Sequence, residues 1–246
     1  MKGSYKDDLA YIHDTGFGDF ARTAAPGLLE ILRTNRIVTG LVVDLGCGSG
    51  LWAQALSRAG YEVLGVDISP SMIEIARRRA PRAEFRTGSL LKVQLPPCRA
   101  VTSLGECLNY LFDENNSIRE LRRLFDRVYT ALEPGGVFVF DLAEPGRGTG
   151  PRQKHREGSD WAVLVEVEEH DNISRLTRRI TSFRKIGKLF RRDTEIHHLQ
   201  LFRRSEIATE LRRAGFRVRI VGAYGDRPLI EGCVGFVARK PGGRAR

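Results

Sequence analysis

Residues 41–50, with the sequence LVVDLGCGSG, decide the fold of this chain. The first half is a short apolar run and the second half is rich in glycine, which predicts a buried parallel strand that turns directly into a helix. A helix over 51–59 and a second strand over 61–66 complete a βαβ unit. In such a unit the turn after the first strand presents backbone N–H groups at the carboxyl end of the sheet, where ligands bind.

Strands and helices continue to alternate as far as residue 142. Ser69 in the N-cap position, followed by Pro70 at the first helical position, predicts the start of the next helix. Further strands are expected over 83–87, 100–104 and 137–142, with an amphipathic helix over 117–132. After residue 142 longer strands follow one another over 161–168, 174–185 and 191–202, and a helix over 205–214, begun by Ser205, precedes two closing strands over 217–222 and 233–239. The pattern predicts an α/β fold with a doubly wound, mostly parallel seven-stranded sheet and an inserted antiparallel β subdomain.

Four parts of the 246-residue chain are expected from this pattern. They are an N-terminal helical arm (1–40), a core with the ligand-binding turn (41–145), the antiparallel insert (146–204) and the completion of the core sheet (205–246). Residues 146–158 are rich in Gly, Pro and Arg, which is typical of a mobile loop.

The charge of the chain is unevenly distributed. Residues 1–145 carry 17 Lys plus Arg and 18 Asp plus Glu, whereas residues 146–246 carry 23 and 12. The basic half predicts an acidic ligand or a solvated surface, and no RNA-binding signature accompanies it. With no apolar run long enough for a bilayer, no secretory signal and four cysteines without a CxxC pair, we expect a cytoplasmic protein without a metal or a membrane partner.

The glycines of the loop are spaced GxGxG, whereas a dinucleotide pyrophosphate site has GxGxxG. Asp44 stands two residues before the first glycine, and a carboxylate there suits a ligand with an ammonium group. Asp67 ends the second strand, where an acid accepts hydrogen bonds from both hydroxyls of a ribose. On its own Asp67 fits the N-terminus of the following helix equally well.

Residues 41–50, 63–67 and the LEPGG sequence at 132–136 together resemble the motifs of class I S-adenosylmethionine-dependent methyltransferases. The insert resembles that of glycine and amino-sugar N-methyltransferases, and residues 10–21 resemble the arm that closes over the cofactor in this subgroup. The resemblance implies S-adenosyl-L-methionine as the cofactor. The cofactor-binding residues that it implies are Tyr11, Asp44, Gly46, Cys47, Gly48, Asp67, Ile68, Met72, Ser89, Leu90, Leu104 and Gly105; Met72 fits plain core packing as well.

Two positions depart from the family's pattern. Ser89 stands where many relatives have an aspartate, so its hydroxyl or a backbone carbonyl would have to accept the adenine amino group. The sequence SLGECL at 103–108 is not the Asn/Asp-Pro-Pro-Tyr of adenine-N6 methyltransferases, and Cys107 lacks the Pro-Cys of cytosine-C5 enzymes. Both departures favour a small-molecule acceptor over nucleic acid.

Methyl transfer is an in-line displacement at carbon, so positioning supplies most of the rate and a base is needed only for a protonated nucleophile. His13, Glu106 and Tyr110 are the candidate catalytic residues, although His13 fits a surface position and Tyr110 a core position. His197 and His198 are adjacent on a strand and point to opposite faces.

The sequence therefore predicts transfer of a methyl group from S-adenosylmethionine to nitrogen or oxygen of a small molecule. An anionic acceptor and a homodimer are the expected partners. An RNA or protein methyltransferase that uses the basic half, and a non-catalytic S-adenosylmethionine-binding domain, remain as alternatives.

Overall fold

The computed structural model describes residues 5–113, 116–149 and 152–242. A seven-stranded sheet with the order β10-β13-β5-β4-β1-β2-β3 forms its centre, and a four-stranded sheet with the order β6-β7-β8-β9 stands beside it. The helices are α1 (Asp7–Gly16), α2 (Asp19–Thr34), α3 (Leu51–Arg58), α4 (Pro70–Arg79), α5 (Ile118–Ala131) and α6 (Arg204–Arg213). The strands are β1 (Leu41–Leu45), β2 (Glu62–Asp67), β3 (Glu84–Thr87), β4 (Cys98–Ser103), β5 (Leu132–Ala143), β6 (Gln153–Glu157), β7 (Trp161–His170), β8 (Arg175–Ile186), β9 (Leu189–Gln200), β10 (Arg217–Val221), β11 (Ala223–Tyr224), β12 (Arg227–Pro228) and β13 (Cys233–Arg239).

The seven-stranded sheet is doubly wound about β1. From β1 the chain runs outward through β2 and β3, and then returns to add β4 and β5 on the other side, all in parallel. β13 is antiparallel to both β5 and β10. Because the chain changes direction between β1 and β4, a crevice opens at the carboxyl ends of these strands. This crevice is where the functional site lies.

Two apolar layers hold the sheet between its helices. On one face α5 packs Phe125 against Phe138 and Phe140 of β5, and on the other face α2 and α3 bury Leu28 and Trp52. Ser69 caps α4 as predicted, since its side chain accepts a hydrogen bond from the backbone N–H of Met72 at 3.2 Å. Helix α6 begins after Arg203 without a side-chain cap, so the predicted cap at Ser205 is wrong.

The inserted sheet joins β5 to α6, and its three long strands match the sequence prediction. The prediction of a loop over 146–158 is wrong in part, because Gln153–Glu157 forms β6 and pairs antiparallel with β7. The five residues of β6 are polar and exposed, so no apolar alternation marks them as a strand. Gly150 and Pro151 of the predicted loop lie outside the described residues.

The N-terminal arm crosses the gap between the two sheets. The carboxylate of Glu195 on β9 accepts the backbone N–H groups of Tyr5 and Lys6 at 2.8 and 2.9 Å. Asp8 pairs with Arg191 farther along the same strand. The arm thus forms one wall of the crevice. None of the helices in the described ranges has the length and apolar character that a membrane span requires.

Candidate active site

A cavity of about 590 Å³ occupies the crevice between the core sheet, the inserted sheet and α1. Its volume falls within the range of small-molecule sites. Every predicted site residue except Tyr11 lines it: His13, Asp44, Gly46, Cys47, Gly48, Asp67, Ile68, Met72, Ser89, Leu90, Leu104, Gly105, Glu106 and Tyr110. Residues predicted at the ends of four separate strands, together with His13 of α1, thus face one space.

The glycine-rich loop turns sharply because its three glycines, Gly46, Gly48 and Gly50, adopt left-handed backbone conformations. Gly46 has a φ of +76° and Gly48 a φ of +52°. A Cβ atom on Gly46 would also lie 2.5 Å from Sγ of Cys107, so a side chain there is excluded by contact as well as by conformation. Added at Gly48, a Cβ would meet open space, which leaves the backbone at that point accessible to a ligand.

Asp67 at the end of β2 ties the loop to α4. Oδ2 accepts the backbone N–H of Gly48 at 2.8 Å and Oδ1 accepts that of Ser69 at 2.9 Å. Burial raises the pKa of Asp67, and these backbone hydrogen bonds counteract that rise. Each oxygen keeps a second lone pair, so the carboxylate can accept two hydroxyl groups in addition to its backbone partners.

Asp44 is held by a chain of two side-chain hydrogen bonds. Trp52 donates through Nε1 to the hydroxyl of Thr102 at 3.1 Å, and Thr102 donates to Oδ1 of Asp44 at 2.7 Å. Burial raises the pKa of Asp44 to about 7, and the hydrogen bond from Thr102 opposes that rise. Within the described part of the chain neither Asp44 nor Asp67 has a cationic partner.

This end of the cavity fits S-adenosylmethionine on its own chemistry. Two buried carboxylates without a counter-ion favour a cationic ligand, because each charged carboxylate is costly to bury alone. The cofactor carries a sulfonium and an ammonium group, a ribose for Asp67 and an adenine that suits the apolar side chains of Ile68 and Met72.

Ser89 is already engaged in hydrogen bonds. Its hydroxyl accepts the backbone N–H of Leu91 at 3.1 Å and donates to Oδ2 of Asp113 at 2.8 Å. Asp113 lines the cavity as well. A carboxylate is therefore present beside the position where the sequence departs from the family's pattern, but it comes from a loop 24 residues away.

Helix α1 presents one face to the cavity, and Tyr11 lies on another. Leu9 and His13, four residues apart on α1, share the face that lines the cavity, and Tyr5 and Phe17 extend this lining on either side of the helix. Tyr11 is two positions from His13, about 200° around the helix. Its hydroxyl donates to Asp160 at 3.2 Å and its ring lies under Arg184, so the prediction that Tyr11 contacts the cofactor is not supported.

His13 faces the cavity as a neutral imidazole. Burial lowers its pKa to about 4, and the nearby charge of Asp14 only partly offsets this. Its ring packs edge-on against Tyr5 and parallel to Phe17. No hydrogen bond to either ring nitrogen is made by the residues that the structure describes. The imidazole is thus available to a polar group of a ligand.

Glu106 lines the cavity but does not suit the predicted role of a base. Oε1 accepts Nε of Arg147 and Oε2 accepts Nη2 of Arg178, both at 2.6 Å. Burial alone would raise the pKa of Glu106, but the two guanidinium groups lower it to about 2. Its oxygens therefore stay ionised and occupied, and Glu106 orients the two arginines.

Tyr110 has a hydroxyl group that burial keeps neutral. Its oxygen accepts a hydrogen bond from Nη1 of Arg178 at 3.0 Å and lies 3.3 Å from the hydroxyl of Tyr5. Burial raises the pKa of Tyr110, with Arg178 opposing. His197 lies behind these rings, 1% exposed and bonded to Glu195, whereas His198 points to the outer face and contacts Thr177, as the strand alternation predicts.

Three residues of the site, Asp141, Arg147 and Arg178, were not predicted from the sequence. Asp141 on β5 accepts the backbone N–H groups of Gly105 and Glu106 at about 3 Å and so fixes the turn after β4. A lone acid in the apolar run of β5 is the signal that would have revealed it. Arg147 and Arg178 have no such signal, because each belongs to a basic stretch in which many arginines look alike.

Comparison with known proteins agrees with this geometry. Residues 42–136 match the family described as "Methyltransferase domain". The chain contains a methyltransferase domain. A dTDP-4-amino-2,3,4,6-tetradeoxy-D-glucose N,N-dimethyltransferase of Saccharopolyspora spinosa is 29% identical over 90% of this chain and 89% of its own.

Solved structures share the fold over nearly the whole chain. A sugar N-methyltransferase from a Streptoalloteichus species superposes with a TM-score of 0.80 at 20% identity, covering 98% of this chain and 96% of that one. An S-adenosylmethionine-bound amino pentose methyltransferase from Micromonospora echinaspora gives 0.76 at 21%, covering 98% and 100%. The chain therefore has the fold of these methyltransferases over nearly its whole length.

The residues of this methyltransferase act mainly by positioning the acceptor against the methyl group. The cofactor supplies an activated methyl group on a sulfonium. The chain's own residues must hold an acceptor in line with that group and exclude water, which contributes on the order of 7–11 kcal/mol to lowering the barrier. The apolar side chains of Leu104, Val165 and Ile180 line the space above the loop and serve that exclusion.

Proposed function

We propose that the enzyme methylates the amino group of an amino sugar. The observation that carries this proposal is the neutral imidazole of His13, which faces the cavity without a hydrogen-bond partner in the described structure. A ring nitrogen of this kind accepts an N–H hydrogen bond from an uncharged amine. That bond turns the lone pair of the amine away from His13, toward the methyl group.

The surroundings of His13 favour an amine over a hydroxyl acceptor. An alcohol must lose its proton to attack, and His13 with a pKa of about 4 and Glu106 with a pKa of about 2 are weak bases for that step. An amine has a lone pair in its neutral form. The burial that lowers the pKa of His13 disfavours an ammonium group in the same way, so the amine binds as the free base.

The cofactor is assigned to the acidic end of the cavity. Asp67 accepts the ribose hydroxyls, Asp44 compensates the positive charge of the cofactor, and the backbone of Gly46 and Gly48 contacts its methionine part. Ile68 and Met72 pack on the adenine, while Asp113 with Ser89 supplies the acceptor for the adenine amino group. The support for each role is the hydrogen bonds, burial and charge described above.

The amino-sugar acceptor is suggested by the relatives. The Saccharopolyspora protein is named for N,N-dimethylation of a dTDP-linked amino sugar, and this chain covers 89% of its length. The first transfer leaves a methylammonium group, which must pass one N–H proton to water, directly or by way of the acceptor nitrogen of His13, before its restored lone pair can accept a second methyl group.

The test is a transfer assay with isotope-labelled S-adenosylmethionine and a panel of amino sugars, phenols, carboxylates and RNA. We expect one and two methyl additions on an amino sugar, detected by mass spectrometry. His13→Phe keeps the aromatic packing and removes the acceptor, so its kcat should fall about tenfold or more, in line with a hydrogen bond of roughly 1.5 kcal/mol. Label in RNA or on a phenol alone, or none in any acceptor, would refute the proposal.

A further inference from the structure

Two cations of the inserted sheet face the cavity from its edge strand. Lys154 and Arg156 on β6 lie directly opposite Val165 and Val163 on β7. Residues opposite each other in an antiparallel pair share a face of the sheet. Because the two valines line the cavity, Lys154 and Arg156 stand on the cavity side, and both belong to its lining.

These cations are largely uncompensated. The ammonium group of Lys154 makes no ion pair or hydrogen bond with the residues that the structure describes. Arg156 approaches Asp19 only to 3.6 Å, with both side chains half-exposed or more, and lies over the ring of Phe17. Deeper in the cavity Arg147 and Arg178 share the single carboxylate of Glu106, which leaves one further positive charge.

The cavity is therefore polarised. Asp44 and Asp67 make the wall formed by the core sheet acidic, while Lys154, Arg156 and Arg178 make the wall formed by the inserted sheet basic. Such an arrangement selects an acceptor with a negative group at the end remote from the reacting nitrogen. It also opposes the binding of a cationic molecule in the acceptor position.

The spacing of the two β6 cations fits a diphosphate. Alternate residues on one face of a strand are about 7 Å apart. Long lysine and arginine side chains at that separation can each bind one phosphate of a linked pair, with charge-assisted hydrogen bonds. β6 is the edge of its sheet, so a nucleoside attached to the outer phosphate can extend past it into solvent.

We propose that Lys154 and Arg156 form the binding site for the diphosphate of a nucleotide-linked acceptor. The inference rests on the proposed function, since the amino sugar attached to that diphosphate then points inward toward His13. Arg147 and Arg178 lie beside the sugar between the diphosphate and the transferred methyl group.

The experiment compares Lys154→Gln and Arg156→Gln with Arg179→Gln. Arg179 is also exposed and weakly paired, but it lies on β8 opposite Glu166, on the outer face of the sheet. Binding of thymidine diphosphate to the protein preloaded with S-adenosylhomocysteine is measured by calorimetry, together with KM for a nucleotide-linked and a free amino sugar. We expect each β6 substitution to weaken diphosphate binding about tenfold. KM for the nucleotide-linked acceptor should rise by a similar factor.

Arg179→Gln should leave diphosphate binding and KM unchanged. All three substitutions should leave the affinity for S-adenosylhomocysteine and kcat unchanged. Diphosphate binding that depends on Lys154 and Arg156 without turnover of any amine would support the site while refuting the proposed function. Turnover of the nucleotide-linked amino sugar with equal KM for the wild type and both β6 variants would overturn the site and leave the function standing. Absence of diphosphate binding to the wild type would overturn the site as well.

Discussion

Single side chains set the electrostatic character of the site. Asp44 has a pKa near 7 because it is buried without a cation, and Asp141 has a pKa raised to about 6 by burial, against the hydrogen bonds of the Glu106 and Gly105 N–H groups. For an acid with a raised pKa the folded state binds more protons than the unfolded state. Both groups therefore favour folding below their unfolded pKa, and this contribution is lost as pH rises through the folded pKa.

Asp44 links cofactor binding to a proton. A cationic ligand favours the ionised carboxylate, so S-adenosylmethionine should release close to one proton below pH 7 and bind more tightly as pH rises from 5 to 8. Calorimetric titration in two buffers of different ionisation enthalpy measures the proton directly. Asp44→Asn should abolish the release; an unchanged release in that variant would assign the proton to another group.

His13 gives stability the opposite dependence on pH. Its pKa is lowered to about 4 in the folded protein, so the unfolded chain binds the proton more tightly. Its contribution is complete above the unfolded pKa of about 6.5 and is lost as pH falls toward 4. We expect His13→Phe to be at least as stable as the wild type at pH 7 and to exceed it increasingly at lower pH. The free energy of unfolding of both proteins is measured from pH 7 to pH 5. A constant difference between the two proteins over this range would contradict the expectation.

At the scale of elements, regular periodicity positions the site. The four-residue spacing along α1 brings Leu9 and His13 to the cavity and turns Tyr11 away. The two-residue alternation of β6 does the same for Lys154 and Arg156. The arm holds its place through Glu195, whose carboxylate accepts two backbone N–H groups at the start of the arm.

Removing that carboxylate should loosen the arm. Glu195→Gln leaves a single acceptor oxygen and places an NH2 group against one of the two N–H donors. Hydrogen exchange of amides in residues 7–17 should become about tenfold faster or more, because a hydrogen bond to a charged group contributes roughly 1.5–3 kcal/mol. Glu166→Gln on the outer face is the matched control. Equal protection of the arm in both variants would show that Glu195 does not hold it.

For the whole molecule, the sequence predicts the architecture better than the site. The alternation of strands and helices and the glycine loop yield the seven-stranded sheet and the inserted sheet, because both patterns are local. The orientation of Tyr11, the ion pairs of Glu106 and the strand β6 were not predicted from the sequence, for different reasons. The first depends on which helix face meets the sheet, the second on arginines 41 and 72 residues away, and the third on a polar strand without alternation.

The central claim is that the loop after β1 and the carboxylate after β2 bind one S-adenosylmethionine molecule. Calorimetry of S-adenosylmethionine with the wild type, Asp67→Asn and the exposed control Asp226→Asn tests it most directly. We predict one bound molecule per chain, an affinity about tenfold or more weaker in Asp67→Asn, and no change in Asp226→Asn. Equal affinity in all three proteins, or no binding to the wild type, would contradict the account.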